Sequence, residues 1–337
     1  MKELRELQNE IEEIEQQFRR EIFDDSQLPP ILYHYTNVYG LQGIVESSKW
    51  YATHYLYMND GKEIIYGDEL VQEELDKRID TEPDDWVKKT YNKCLGKEYG
   101  SPSLLREFDY DIYIVSFSEE GNLLDQWRAY GDDGEGYSIG INPSKLAAII
   151  TGPIITDPKN LAFVKVEYNP SKQNSLIRNA IDEARLILKR ELAGAVDDTH
   201  RNQLCTLIAS HLSRTLIQLS LFFKHPAFQN EKEWRVVRIR WGRHPMTGIN
   251  PGSVRNVDFR SGKGILIPYM KLNFHSMATD EVDENERLLP LKHILIGPKH
   301  KYREQQAQHS LEMQLLKKGY EPDRNNPLIR MSQIPYQ

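Results

Sequence analysis

The sequence predicts an α+β fold built as one large domain with two helical additions. Short apolar and β-branched runs recur along the 337 residues, and helical patterns of irregular length separate them. A doubly wound protein would instead alternate strands and helices regularly. We therefore predict an N-terminal amphipathic helix within residues 1–28 and a single domain over residues 29–337, which carries a helical insertion at about 172–224.

The N-terminal helix is predicted over residues 3–22 because apolar residues recur there at alternating spacings of three and four. Pro29 and Pro30 then end this segment. The apolar stripe spans about three heptads, the lower edge of a coiled coil. The helix is therefore expected either to join two copies as a homodimer or to pack on its own domain.

The main domain follows with strands and helices in an irregular order. Strand patterns are followed by turn signals, and the longer helical patterns carry apolar residues on one face. The predicted strands are residues 31–35, 50–53, 111–118, 136–142, 161–168, 233–241, 264–272, 293–297 and 328–334. The predicted helices are residues 39–48, 62–79, 172–193, 198–224 and 302–318, with a turn at residues 59–61.

Composition limits the function classes. Hydrophobic residues make up 39% and charged residues 28% of the chain, as in ordinary globular proteins. The net charge of −7 argues against coating nucleic acid by charge alone. The two cysteines are far apart and suggest neither a disulfide framework nor a zinc site. A charged N-terminus and the lack of about 18 uninterrupted apolar residues predict a cytoplasmic protein with no membrane contact.

The first candidate site is His34, which stands between Tyr33 and Tyr35 and is followed by Thr36 at the end of a predicted strand. Its imidazole titrates near neutrality, and the neighbouring hydroxyls can donate or accept hydrogen bonds. A lone histidine in a strand is usually structural. The hypothesis of a site here therefore depends on the longer pattern around it.

Two further clusters carry polar or aromatic groups. Ser116 and Ser118 lie on one face of a predicted strand, although serines that merely end a strand before a turn would look the same. In the next loop, Trp127 and Tyr130 offer flat faces for stacking on a ring. Their spacing of three would serve equally well to pin a short helix to the core.

The third cluster is Glu231, Glu233 and Arg235, which share one face if residues 231–235 form a strand. Two carboxylates so close are both ionised only if a cation or a substrate offsets them. The alternative is an exposed strand end with a surface pair between Glu233 and Arg235. Lys224, near the end of a long helix, is expected to complement the helix dipole.

With these residues in view, the sequence resembles the N-terminal core of ADP-ribosyltransferases in its strand 33–36, its helix 41–47 and its strand 50–53. The resemblance implies a split β-sheet core and NAD as the substrate. It implies that His34 holds the adenosine ribose, and that Glu233 stabilises the ribose cation as nicotinamide leaves while Glu231 orients the acceptor. The remaining residues assigned to NAD binding are Tyr35, Thr36, Ser116, Ser118, Arg235 and either Trp127 or Tyr130.

More specifically, the sequence resembles the uncharacterised bacterial family called domain of unknown function 2971 over roughly residues 31–336. The shared motifs include residues 33–36, 115–119, 136–140, 231–235 and 294–298. Bacterial enzymes of the transferase type are often toxins or antiphage effectors. The resemblance therefore implies ADP-ribose transfer to an unidentified protein or nucleic acid, and it predicts that His34 and Glu233 face one cleft.

Two other function classes remain open from the sequence. A metal-dependent nuclease would gather Mg²⁺ with Asp60, Glu63, Glu231 and Glu233, assisted by Lys224. A ligand-sensing or partner-binding domain would use the same pocket without catalysis. Divalent-metal dependence would separate the nuclease from the transferase, and activity that survives a Glu233→Gln substitution would favour the binding domain.

Overall fold

The computed structural model describes residues 4–22, 28–58, 62–97, 104, 110–144, 161–241, 254–262, 264–272, 288–321 and 327–336. These residues form a mixed α+β architecture in which helices pack against an open sheet of ten strands, as the predicted fold class required. The predicted turn at residues 59–61 lies outside the described part of the chain.

The described helices are α1 (Leu4–Ile22), α2 (Val38–Ser47), α3 (Lys62–Thr81), α4 (Asp85–Cys94), α5 (Leu124–Ala129), α6 (Pro170–Leu192), α7 (Asp198–Ser220) and α8 (Glu304–Lys318). Six of these eight described helices fall close to their predicted positions, whereas α4 and α5 were not predicted as helices. The two long helices of the insertion begin at capping residues. The side chain of Asn169 accepts hydrogen bonds from the first turn of α6, and that of Asp197 does the same for α7.

The strands are β1 (Leu32–Thr36), β2 (Trp50–His54), β3 (Tyr110–Ser118), β4 (Tyr137–Ile141), β5 (Ala162–Lys165), β6 (Glu233–Trp241), β7 (Asp258–Gly262), β8 (Ile265–Leu272), β9 (Leu291–Ile296) and β10 (Ile329–Met331). Their main order is β10-β9-β4-β1-β3-β2-β8-β7, and β6 pairs with β3 and then with β5. The pairs are antiparallel except β9 with β10, which run parallel.

The sheet divides beside β3. One edge of β3 pairs with β6 along its whole length, whereas the other edge is shared by two strands. Tyr33 of β1 pairs with Ser118 at one end, and β2 pairs with Tyr113 and Ile114 nearer the other end. The described strands therefore leave an opening between β1 and β2 at residues 115–117 of β3.

Side-chain alternation gives each face of the sheet its own core. Ile112 and Ile114 of β3 pack in the first core, against α1, α3, α4, α6 and α7. Val115 and Phe117 point the opposite way, into the second core with α2 and α8. The middle of β3 is therefore buried on both faces and is apolar. Polar residues follow at its C-terminal end, where the helices of the first core end.

The N-terminal helix packs on its own domain. Leu7 and Ile11 are buried in the first core. Glu15 binds His211 and Arg214 of α7 at 2.7 and 2.8 Å. Within the described side chains, the middle of the predicted apolar stripe is thus buried in the chain's own domain. In the ranges that the structure describes, every helix is too short or too polar to cross a bilayer.

Candidate functional site

A pocket lies beside the opening between β1 and β2. The space inside it, including the part that is open to solvent, is about 510 Å³. Seven of the predicted site residues line it, namely His34, Tyr35, Ser116, Ser118, Tyr130, Glu231 and Glu233. His34 and Glu233 are both among the residues that line this pocket.

Strand register explains why polar groups meet here. Ser118 lies opposite Glu233, and Ser116 lies opposite Arg235, so the four side chains share one face of the β3 and β6 pair. Further along the same face, Ile112 and Ile114 belong to the first core. The site is therefore the polar end of a face that is otherwise apolar.

Four charged residues form a compact network at this end. The ammonium group of Lys224 contacts the carboxylate of Glu231 and lies 3.1 Å from Oε2 of Glu233. Arg235 donates to both oxygens of Glu233, through Nε at 2.8 Å and through Nη2 at 2.9 Å. Its Nη1 donates to the carbonyl of Leu221. The network holds two carboxylates and two cations, so its formal charges cancel.

Cations keep Glu233 ionised in spite of its burial. Burial by itself would raise the pKa of this carboxyl, but the charges of Arg235 and Lys224 outweigh that effect. The pKa of Glu233 therefore lies well below its ordinary value. The side chain of Glu231 is 18% exposed against 6% for Glu233, so Glu231 is the carboxylate more open to the pocket.

Glu231 reaches the network from outside the strand. The predicted strand over residues 231–235 begins only at Glu233, because Pro226–Glu231 form a short 3₁₀ helix. Lys232 between them is left-handed, with φ 44°. Its turn brings Glu231 beside Glu233 without strand alternation. The hydroxyl of Ser118 donates to the carbonyl of Glu231 at 2.7 Å and fixes that turn.

His34 borders the pocket through the opening in the sheet. Because Tyr33 shares the face of Ser118, His34 projects from the other face, where its ring meets Trp50 and Phe117. Its Nδ1 lies 2.9 Å from the carbonyl oxygen of Ser116. A carbonyl can only accept, so Nδ1 carries the proton in the neutral ring, and Nε2 can only accept.

We expect acid to destabilise the protein through His34. Burial lowers its pKa to about 4 from an ordinary value of 6.5, so the unfolded chain binds more protons between those pH values. The free energy of unfolding should fall by about 2 to 3 kcal/mol as the pH drops from 6.5 to 4.5. Urea unfolding of H34Q across this range should show a smaller loss. Equal losses in wild type and H34Q would contradict the expectation.

Three predicted ligand-binding residues do not line the pocket. Trp127 is fully buried, with its edge on Tyr35 and its Nε1 donating to Asn122, so its ring has no face for a ligand. Thr36 packs against Gly40 at the start of α2. Arg235 is fully buried and holds Glu233. Of the two aromatic residues predicted to stack on a ligand, Tyr130 lines the pocket and Trp127 does not.

Two residues that line the pocket also hold its walls in place. The hydroxyl of Tyr35 donates to the carbonyl of Glu120 at 2.8 Å and accepts from the backbone N–H of Leu123 at 3.0 Å. Ser118 accepts from the backbone N–H of Glu120 at 3.0 Å in addition to its bond with Glu231. Tyr35 and Ser118 thus fix the loop that leads into α5 in addition to lining the pocket.

The sequence did not single out Met58, Phe117 or Gln126, and it did not predict the positions that Tyr33 and Lys224 take in the site. Tyr33, Met58, Phe117 and Gln126 line the pocket, and Lys224 lies within the charge network. The prediction that Lys224 caps a helix is wrong, because α7 ends at Ser220 and the ammonium group contacts carboxylates. A buried pair of carboxylates needs a nearby cation, and that requirement was the signal available in the sequence.

The predicted metal ligands are not assembled by the described residues. Within the described ranges, no group of three or more His, Cys, Asp or Glu side chains is arranged to hold a metal ion. Asp60 and the side chain of Glu63 lie outside the described part of the chain. Glu231 and Glu233 already bind Lys224 and Arg235.

Comparison with known proteins supports the family resemblance over part of the chain. Residues 126–236 match the family described as "Protein of unknown function (DUF2971)". The matched segment runs from Gln126 to just beyond Arg235 and so contains the whole charge network, whereas His34 and Ser116 precede it. No curated protein and no solved structure matches the chain.

Proposed function

We propose that the chain is an ADP-ribosyltransferase-like enzyme that uses NAD as its substrate and transfers ADP-ribose to a macromolecule. The observation that carries the proposal is the pocket at the opening of the sheet. There a histidine that burial keeps neutral and the hydroxyl of Ser116 border the same space as Glu231 and the ionised carboxylate of Glu233. If the acceptor were essential to a cell or to a phage, the activity would be that of a toxin or an antiphage effector.

The carboxylates suit the chemistry of this bond. When the bond between ribose C1′ and the nicotinamide nitrogen breaks, its electron pair leaves with nicotinamide and positive charge develops on the ribose. A fixed carboxylate stabilises that charge. The acceptor then bonds to C1′ through oxygen or nitrogen and gives up a proton to a carboxylate or to water. Glu231 is the better placed of the two, because it is more exposed and Glu233 is engaged by Arg235.

Other lining residues fit a dinucleotide. The hydroxyl of Ser116 is buried without a hydrogen bond of ordinary geometry among the described residues, although it lies close enough to Glu233 to help lower its pKa. A ligand hydroxyl would satisfy it. Nε2 of His34 would accept from a ribose hydroxyl, and the ring of Tyr130 would support an aromatic base. A magnesium-dependent nuclease fits less well, since two cations already neutralise the carboxylates.

The direct test follows nicotinamide. Wild-type protein is incubated with NAD labelled in the nicotinamide ring, alone and with cell extract, purified protein or nucleic acid as acceptor. Release of nicotinamide supports the proposal, and label transferred from the ADP-ribose half identifies the acceptor. If no nicotinamide is released under any of these conditions, the transferase proposal fails. The pocket would then belong to a binding domain.

A further inference from the structure

Gln126 presents an unused carboxamide to the pocket. It lies on α5 and is only 7% exposed, yet it lines the pocket. Its backbone carbonyl accepts from the N–H groups of Tyr130 and Gly131. Its side-chain amide, in contrast, makes no hydrogen bond within the described part of the chain. Because Gln126 lines the pocket, its amide offers both a donor and an acceptor to a ligand that can pair with the two.

The position of Gln126 is firmly fixed. The hydroxyl of Tyr35 anchors the chain just before α5 by accepting from the backbone N–H of Leu123. Trp127, next to Gln126, is fully buried and donates to Asn122. These contacts hold the backbone of Gln126 at the pocket wall, so little backbone freedom is lost on binding.

We propose that Gln126 reads a planar, uncharged ligand group that carries a hydrogen-bond donor beside an acceptor, such as the carboxamide of nicotinamide or the edge of a nucleobase. The inference rests on the proposed function in taking this pocket as the substrate site. A carboxamide has one donor and one acceptor facing the same way, which matches the two halves of the glutamine amide.

The charges of the pocket favour the same ligand class. Glu231 and Glu233 line it together with Gln126. A ligand carboxylate would lack the donor that Gln126 can accept from, and it would face Glu231 and Glu233, which line the pocket, whereas Lys224 and Arg235 do not. The pocket should therefore discriminate nicotinamide from nicotinate, which share a ring and differ only in this group.

Binding of free ligands tests the proposal without catalysis. Saturation-transfer NMR or calorimetry on the full chain would compare nicotinamide, nicotinate and adenosine. We expect nicotinamide or adenosine to bind at least about tenfold more tightly than nicotinate, and Q126M to lose about tenfold of that binding. If Q126M weakens the binding of nicotinamide, Gln126 contacts the nicotinamide group; if it weakens the binding of adenosine, Gln126 contacts the nucleobase. Q126E keeps the shape and serves as a second variant, and Q305M on the exposed face of α8 should change nothing.

Failure of this inference can be told apart from failure of the proposed function. Equal binding of nicotinamide and nicotinate, or unchanged binding in a folded Q126M, overturns the role of Gln126. If wild type nevertheless releases nicotinamide from NAD, the enzymatic proposal stands without it. Conversely, Gln126-dependent binding without nicotinamide release would leave the inference intact and remove the transferase activity.

Discussion

Replacing Lys224 with methionine is expected to lower the free energy of unfolding by about 3 to 5 kcal/mol. The ammonium group of Lys224 is 1% exposed and lies between the carboxylates of Glu231 and Glu233. Methionine keeps the volume of the stem but removes the charge. The network then holds two carboxylates and only Arg235, so a buried negative charge is left without compensation.

Charge balance provides the internal control for this prediction. The double variant K224M/E231Q removes one charge of each sign and leaves Glu233 paired with Arg235. It should therefore be more stable than K224M alone. K232M removes the cation of a surface pair with Glu120, in which both side chains are more than 40% exposed, and because solvent screens this pair the variant should be nearly as stable as wild type.

The effect of pH separates charge from packing in K224M. Without its cation, a buried carboxyl has a raised pKa, so the folded state takes up a proton more readily than the unfolded state. The stability lost in K224M should then be partly regained as the pH is lowered toward 5. A loss that is the same at pH 7 and pH 5, or a K224M variant as stable as K232M, would mean that the network is not electrostatically important.

Hydrophobic periodicity was sufficient to predict the centre of the fold. The apolar run of β3 and the alternating residues of β6 predict strands because both strands are buried in the sheet. Periodicity depends on burial and on length, so it missed one exposed strand and one short helix. Strand β7 is an edge strand whose residues are mostly exposed, so pairing with β8 alone defines it. Helix α5 has only six residues, too few for a clear period.

The candidate site was predictable residue by residue but not as a set of contacts. Glu231 and Glu233 stood out because two close carboxylates need an explanation, and the structure supplies Lys224 and Arg235. Gln126 carried no such signal, since a glutamine in a loop is ordinary until its burial is known. Likewise, the divided edge of β3 follows from long-range pairing, which periodicity does not encode.

Replacing Glu231 with glutamine is expected to reduce nicotinamide release from NAD by about 10²- to 10³-fold. The reason is geometric. Glu231 is the more exposed carboxylate of the pocket, whereas both oxygens of Glu233 accept hydrogen bonds from Arg235. Glutamine keeps an oxygen that can accept from Lys224, so E231Q should remain folded while losing the charge that stabilises the ribose.

The matched comparison is with E233Q and E120Q. Glu233→Gln deprives the buried Arg235 of its carboxylate and should destabilise the fold by about 3 to 5 kcal/mol, so its activity has to be measured where circular dichroism shows it folded. Glu120 is an exposed carboxylate that pairs with Lys232 outside the network, and E120Q should retain full activity.

The two carboxylates then have distinguishable roles. If Glu231 acts on the ribose and Glu233 positions Lys224, E231Q loses release with little loss of stability, and E233Q loses stability first. The opposite pattern, a folded E233Q without activity beside an active E231Q, would return the direct role to Glu233, as the resemblance to ADP-ribosyltransferases predicted. The ammonium group of Lys224 contacts both carboxylates, so a change at one of them affects the other. In E231Q the cation would interact with the carboxylate of Glu233 alone, and the pKa of Glu233 should therefore fall further.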